Sequence, residues 1–141
     1  MSFNNKLNVT LLFVYCVCLL ALTMCKSFQL FLPELAYIEK SLGGDKWQHF
    51  TLALILSYLV WPVAWRWNGQ GSFARVKFNL AVFLLLVSAL LADEFHQYFI
   101  RSRYFEWRDI QYGVSGLFLG LAIRLLYGRF FRFARVLVSR K

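Results

Sequence analysis

Residues 7–24 of the chain read LNVTLLFVYCVCLLALTM, a run without a charged side chain. A bilayer core about 30 Å thick is crossed by roughly 20 helical residues. Three further stretches have this length and character, at about 47–65, 78–100 and 110–127. Backbone groups in lipid must bond internally, and apolar runs such as 81–91 lack the alternation of a β-barrel strand. The sequence therefore predicts an all-α, four-helix transmembrane bundle.

The composition favours a single membrane domain over the whole chain, residues 1–141. A hydrophobic content of 60% is too high for a soluble domain of this size. A cleaved secretory signal is the alternative reading of the first span (about 7–25), but it is long and no Ala-x-Ala site follows it. The cysteines Cys16, Cys18 and Cys25 all fall in this span, so neither a disulfide framework nor a zinc cage is predicted.

The charges sort across the predicted spans. With a cytoplasmic N-terminus, the inner segments hold 9 of the 16 basic residues and no acid, whereas the outer segments hold 6 basic residues and all 7 acids. The positive-inside rule therefore predicts that both termini are cytoplasmic.

Two segments outside the spans have helical patterns of their own. After Pro33, apolar residues recur at helical spacing until Gly43 and Gly44, which predicts a short helix on the outer membrane surface. Residues 129–141 form a basic amphipathic tail, which we expect to lie on anionic lipid. This tail explains the high pI, so no nucleic-acid partner is predicted.

Ionisable side chains gather near the outer end of the predicted spans. Asp45, Lys46 and His49 share a helical face at the start of the second span. The third span ends in polar residues that include Glu94 and Gln97. Charged groups within spans are costly and usually functional, so we predict a site in this layer.

The loop and final helix add to the same layer. Arg103 lies in the third loop and Asp109 opens the last helix, where a carboxylate favours the dipole. Asp45 and Asp109 have a structural alternative, since each could serve only as a helix cap. Gly116 and Gly120 form a GxxxG pair, which predicts close packing against another helix and is compatible with a homo-oligomer.

At these residues the sequence resembles the VanZ-like family of small bacterial membrane proteins, one member of which is linked to teicoplanin resistance. The resemblance covers about 33–128. Its ordered motif is Asp-Lys with a nearby His-Phe, then Glu-x-x-Gln, an Arg, and an Asp opening a Gly-rich helix. The matching residues are Asp45, Lys46, His49, Phe50, Glu94, Gln97, Arg103, Asp109, Gly116 and Gly120. Gly113 stands where the family usually has Asn, and Arg101 stands near a common Pro.

The resemblance implies a four-helix membrane domain that crosses the bacterial cytoplasmic (inner) membrane several times and acts on lipid head groups or lipid-linked envelope precursors. The leading hypothesis is an enzyme, a transferase or hydrolase, acting on a phosphate-bearing lipid. Arg103 and Lys46 would hold phosphate, since guanidinium matches its geometry. His49, oriented by Asp45, would be base or nucleophile, and Glu94 its acid/base partner. Gln97 and Asp109 would orient the substrate or Arg103.

Two function classes other than an enzyme also have to be considered for this sequence. A non-catalytic binder would use the same pocket for a lipid head group, a glycopeptide or a partner protein, and would modulate the envelope or antibiotic tolerance. A transporter or proton channel is disfavoured because the middles of the spans are apolar. The residues specify no cofactor, although a divalent metal between Asp45, Glu94 and Asp109 is compatible with them.

Overall fold

Helices account for all the regular structure of the computed structural model within the residues that it describes. They are α1 (Phe3–Ser27), α2 (Leu32–Ser41), α3 (Asp45–Ala64), α4 (Ser72–Gln97) and α5 (Trp107–Ser139). The structure describes residues 3–66, 72–100 and 105–139, with the side chains of 6–66, 73–100, 105–128 and 130. The predicted all-α class is confirmed for these parts of the chain.

Four of the helices are long and apolar enough to cross a membrane. The segments concerned are Lys6–Ser27, Asp45–Ala64, Phe73–Gln97 and Trp107–Gly128. Many outward side chains are apolar and exposed, among them Phe13 at 68% and Leu85 at 69% of their surface. Such a surface would drive association in water but matches a hydrocarbon solvent. This is the architecture of a multi-pass membrane protein.

Helix bounds differ from the predicted spans where polar residues continue a helix. α4 begins at Ser72 rather than near 78, because Arg75 and Lys77 are good helix formers and extend it. It ends at Gln97, so Ile100 lies beyond the helix. α5 runs on to Ser139 without a break at 129. The predicted basic tail is therefore a continuation of α5, and its amphipathic faces lie outside the described side chains.

The short helix after the first span is present. α2 has Pro33 in its first turn, as predicted, and ends just before Gly43 and Gly44. Both glycines have a positive φ, +97° and +100°, which side chains rarely adopt, so the pair turns the chain sharply into α3. The location of α2 on the outer membrane surface remains a prediction.

The cap role considered for Asp45 is wrong. The N-cap of α3 is Gly44, which has no side chain to bond to the first turn, and Asp45 is already the first helical residue. Asp109 lies in the first turn of α5, which begins at Trp107. Its carboxylate is therefore placed to favour the helix dipole, as expected.

The principal helix contact is between α3 and α5. Gly116 and Gly120 of α5 are buried against α3, and a Cβ built on either would collide with a backbone oxygen, that of Phe50 or of Leu54. The close packing predicted for the glycine pair is thus present, with a helix of the same chain as partner. A homo-oligomer through this pair remains a prediction.

A hydrogen-bond network ties the same two helices together. The Ser57 hydroxyl donates to the Leu117 carbonyl at 2.7 Å and accepts from the Trp61 indole N–H at 3.0 Å. All three residues are at most 1% exposed. A buried polar group with no partner costs about 1–3 kcal/mol, so both bonds matter for the α3–α5 contact.

Replacing Ser57 by alanine is expected to lower the free energy of unfolding by about 1 kcal/mol, the scale found for hydrogen bonds between membrane helices. The Leu117 carbonyl and the Trp61 N–H would both lose their partner. Thermal unfolding in detergent measures the effect. Ser115→Ala is the matched control, because its exposed hydroxyl bonds only to Gln111 of its own helix. Equal midpoints for the two variants would contradict this assignment.

α1 packs more loosely than the other spans. None of its described side chains is fully buried. Polar contacts tie it to its neighbours: the Tyr15 hydroxyl donates to the Leu52 carbonyl of α3 at 2.8 Å, and the Thr23 hydroxyl donates to Asp93 of α4 at 3.3 Å. Lys26 in its last turn adds further polar contacts, within the polar layer.

Candidate functional site

Five helix ends meet in one polar layer. α1 and α4 run in the opposite direction to α3 and α5, so the last turns of the first pair lie beside the first turns of the second. The polar layer is defined as the side chains that these turns and α2 contribute. Its members are Lys26, Glu39, Asp45, Lys46, Gln48, His49, Asp93, Glu94, Gln97, Glu106 and Asp109.

Three predicted site residues form a tight group within this layer. The Nε2 atom of His49 lies 3.7 Å from an Asp45 carboxylate oxygen and 3.9 Å from an Asp109 carboxylate oxygen. Asp45 and His49 are one turn apart on α3, whereas Asp109 reaches them from α5. Asp109 is 3% exposed. The contact between α3 and α5 therefore brings together residues that are 60 or more positions apart in sequence.

Two lysines flank this group, and each has a closer partner than an aspartate. Lys26 bonds to Glu39 at 3.1 Å and lies 3.7 Å from Asp45. Lys46 bonds to Glu106 at 2.7 Å and lies 3.5 Å from Asp109. Lys46, predicted as a substrate residue, is thus a neighbour of the group through Asp109.

Glu94 and Gln97 belong to the layer but stand apart from the His49 group. Glu94 is 1% exposed, and one of its carboxylate oxygens accepts the backbone N–H of Glu106 at 2.8 Å. Gln97 is 3% exposed and donates to Asp93 at 3.2 Å. The Glu94 bond joins the end of α4 to the segment before α5, whereas the Gln97 bond lies within α4.

The metal ligand set considered from sequence was Asp45, Glu94 and Asp109. The described residues instead bring Asp45, His49 and Asp109 within metal-binding distance of one another, with ligand atoms no more than 4.8 Å apart. Glu94 is directed to the Glu106 backbone. Arg103, predicted to bind phosphate, lies outside the described residues.

Several members of the layer were not selected from sequence. Lys26, Gln48 and Glu106 connect helices there, and Gln48 is 2% exposed with its side-chain oxygen 2.6 Å from the Lys26 ammonium. Lys26 ends an otherwise apolar span, and Gln48 lies one turn after Asp45. The positions of Lys26 and Gln48 could have indicated their role, because a polar side chain at the end of a membrane span usually has a polar partner.

A cavity of about 230 Å³ lies between α1, α3 and α4. Leucine and alanine side chains such as Leu19, Leu56 and Leu86 form most of its wall. Its polar end is formed by Thr23, Lys26, Gln48, His49, Asp93 and Gln97, all from the helix turns of the polar layer. The cavity is therefore apolar along the bundle and polar at one end.

No family model, curated protein or solved structure matches the chain.

Proposed function

We propose that this chain is a VanZ-like multi-pass protein that acts on the head group of a phosphate-bearing lipid or lipid-linked envelope precursor. The site would face the outside of the bacterial cytoplasmic membrane. The observation that carries the proposal is the amphipathic cavity, whose apolar wall ends at Lys26, Gln48 and His49. A lipid has the same order of apolar chain and polar head, so the cavity matches one end of such a molecule.

The proposed orientation of the chain in the membrane rests on the distribution of its basic and acidic residues. Every acidic residue falls in the segments assigned to the outside, and the polar layer contains most of them. The opposite ends of the spans, whose flanking segments hold basic residues and no acid, then face the cytoplasm. A lipid that entered from the outer leaflet would place its head group in the polar layer.

Basic side chains hold the phosphate in this proposal. Lys46 is partly exposed and its ammonium sits between Glu106 and Asp109, so it can turn toward a bound anion. Arg103 is its proposed partner, on the grounds of residue type and its place in the motif. Asp109 and Gln97 orient the head group or Arg103.

His49 is the proposed reactive group. It lines the cavity and lies between two carboxylates, of which Asp45 is one turn away on the same helix. An imidazole oriented by a carboxylate is suited to take a proton from an attacking water or hydroxyl. Glu94 is the proposed acid/base partner, at the same depth on α4.

Purified protein incubated with labelled envelope lipids tests the proposal. We expect a changed lipid product with wild type and a loss of about 100-fold or more in the His49→Ala/Glu94→Gln double variant, the usual scale for general acid–base groups. His96→Ala is the control, since His96 is an exposed histidine near the same end of α4. Identical products from wild type and the double variant would end the catalytic proposal.

A non-catalytic binder is the second candidate, and the contact of Glu94 favours it. The Glu94 carboxylate accepts the Glu106 N–H, and this bond connects α4 to the segment before α5 whether or not the protein catalyses a reaction. Glutamine at position 94 keeps an oxygen for this bond, so a binder predicts that Glu94→Gln retains both ligand capture and phenotype, whereas Arg103→Ala loses capture. Loss of the phenotype in Glu94→Gln with capture retained would contradict the binder.

A further inference from the structure

We infer that Asp45, His49 and Asp109 bind one divalent transition-metal ion, of the Zn²⁺ or Mn²⁺ class. Their ligand atoms lie within 4.8 Å of one another, and the two distances from His49 Nε2 to the carboxylates are 3.7 and 3.9 Å. Ligands about 2.0–2.1 Å from a tetrahedral ion are about 3.3–3.4 Å apart. The two separations from His49 exceed this by about 0.3–0.6 Å, and the limit of 4.8 Å on the group exceeds it by about 1.4 Å, so coordination requires the aspartate side chains to rotate toward the ion.

Buried polar atoms in this group point to a ligand. Within the described part of the chain, His49 Nε2 and Asp109 Oδ1 are buried and make no hydrogen bond, and the Lys46 ammonium lies 3.5 Å from that Asp109 oxygen. Asp109 as a whole is 97% buried, with 3% of its surface exposed. A buried donor or acceptor without a hydrogen bond is costly, and native proteins have few of them. A cation coordinated by both atoms removes this cost.

The charge of the surrounding side chains favours a dication. Lys26 and Lys46 each sit closer to a glutamate than to an aspartate, at 3.1 against 3.7 Å and at 2.7 against 3.5 Å. Over these two lysines, Glu39, Glu106, Asp45 and Asp109, four carboxylates and two ammonium groups leave a formal charge of −2. A single divalent ion at the aspartates would neutralise the formal charge of this set.

The donor set selects among divalent ions. Mg²⁺ and Ca²⁺ prefer all-oxygen sites, whereas an imidazole nitrogen suits Zn²⁺ and its transition-metal neighbours, and carboxylates also suit Mn²⁺. Three protein ligands leave at least one coordination position open, as in catalytic rather than structural sites. A phosphate oxygen or a water molecule is the expected occupant of that position.

The metal assignment does not depend on the proposed lipid chemistry. It changes the role of His49 from base to ligand, and it can hold for an enzyme or for a binder. Metal binding is measured without any lipid, so failure of one proposal is distinguishable from failure of the other.

The full-length protein, stripped with a chelator in detergent, can be titrated calorimetrically with Zn²⁺ and Mn²⁺, and with Mg²⁺ and Ca²⁺ for comparison. We expect one equivalent of Zn²⁺ or Mn²⁺ to bind, more tightly than Mg²⁺ or Ca²⁺. His49→Ala and Asp109→Asn should each weaken this binding by about 100-fold or more. Asp93→Asn is the matched control, because Asp93 is a carboxylate of the same layer that bonds to Thr23 and Gln97 instead.

A second measurement covers the case in which a variant fails to fold. An ion that binds only the folded state raises the unfolding midpoint, so Zn²⁺ should raise that of wild type relative to the chelator-treated protein. Absence of both saturable binding and this shift in wild type would overturn the inference. The inference would also be overturned if folded His49→Ala bound Zn²⁺ with wild-type affinity. The same holds if the wild-type protein bound Mg²⁺ or Ca²⁺ as tightly as Zn²⁺.

Discussion

Valine at Gly116 is expected to abolish the folded form of the protein. A Cβ at this position would overlap the backbone oxygen of Phe50 and lie 3.0 Å from the backbone nitrogen of Leu54. Backbone atoms inside a helix cannot turn aside as a side chain can, so α3 and α5 must separate. Overpacking of a core typically costs about 1–3 kcal/mol, and a clash with backbone lies at or beyond the top of that range.

Loss of a monodisperse peak in size-exclusion chromatography, or a fall of 10 °C or so in the unfolding midpoint, is the expected readout; about 1 kcal/mol corresponds to several degrees for a domain of this size. Gly128→Ala is the matched control in the same helix, because nothing lies within 4 Å of its added Cβ. Alanine there should be neutral or slightly stabilising. Wild-type behaviour of Gly116→Val would mean that α3 and α5 do not pack as described.

Gly113→Ala tests whether an added side chain in α5 is harmful only where it meets backbone atoms. The added Cβ would lie 3.0 Å from a terminal methyl of Leu90, which is the flexible end of a side chain. The neighbour can shift by a few tenths of an ångström, so a small effect is expected there. Gly113, Gly116 and Gly128 all lie in α5, but an added Cβ would meet a side chain, the backbone and open space respectively.

The number and type of the spans could be predicted because lipid imposes one simple rule. Uninterrupted apolar runs must be helices if they cross a bilayer, and four such helices are present. α2 was also predictable, since Pro33 favours a helix start and the Gly43–Gly44 pair a stop. Local sequence carries all of this information.

The rotation of each helix about its axis could not be predicted. Helical spacing places Asp45 and His49 on one face, but it does not say that Asp109 of α5 meets that face rather than Glu94 of α4. That outcome depends on the close approach of α3 and α5 at Gly116 and Gly120. It is a tertiary property, so the ligand set considered from sequence (Asp45, Glu94 and Asp109) differs from the set that the geometry brings together (Asp45, His49 and Asp109).

The place of Lys26 was missed for a similar reason. In sequence it is one basic residue at the end of an apolar span, and charge counting treats it only as an outer cation. In the structure its ammonium joins three helices, bonding to Glu39 of α2 and Gln48 of α3. With the Tyr15 and Thr23 bonds, this group is one of three polar links between α1 and the rest of the described bundle.

Methionine at Lys26 is therefore expected to lower the free energy of unfolding by about 2 kcal/mol, because removal of one member of a largely buried ion pair strands the other. The apolar stem is kept, but the Gln48 oxygen loses a 2.6 Å contact in a residue only 2% exposed. Glu39 and Asp45 also lose the cation between them. Thermal unfolding in detergent measures the change, with Lys40→Met, an exposed lysine of α2, as the control.

A double variant identifies the cause. If stranded acids and an unpaired amide destabilise Lys26→Met, then adding Glu39→Gln should restore part of the lost stability, since removal of both partners costs less than removal of one. The cavity should also change, because Lys26 forms part of its polar end and α1 forms one wall. Equal unfolding midpoints for Lys26→Met and Lys40→Met would show that apolar contacts alone hold α1, and the polar layer would then lose its role in closing the bundle.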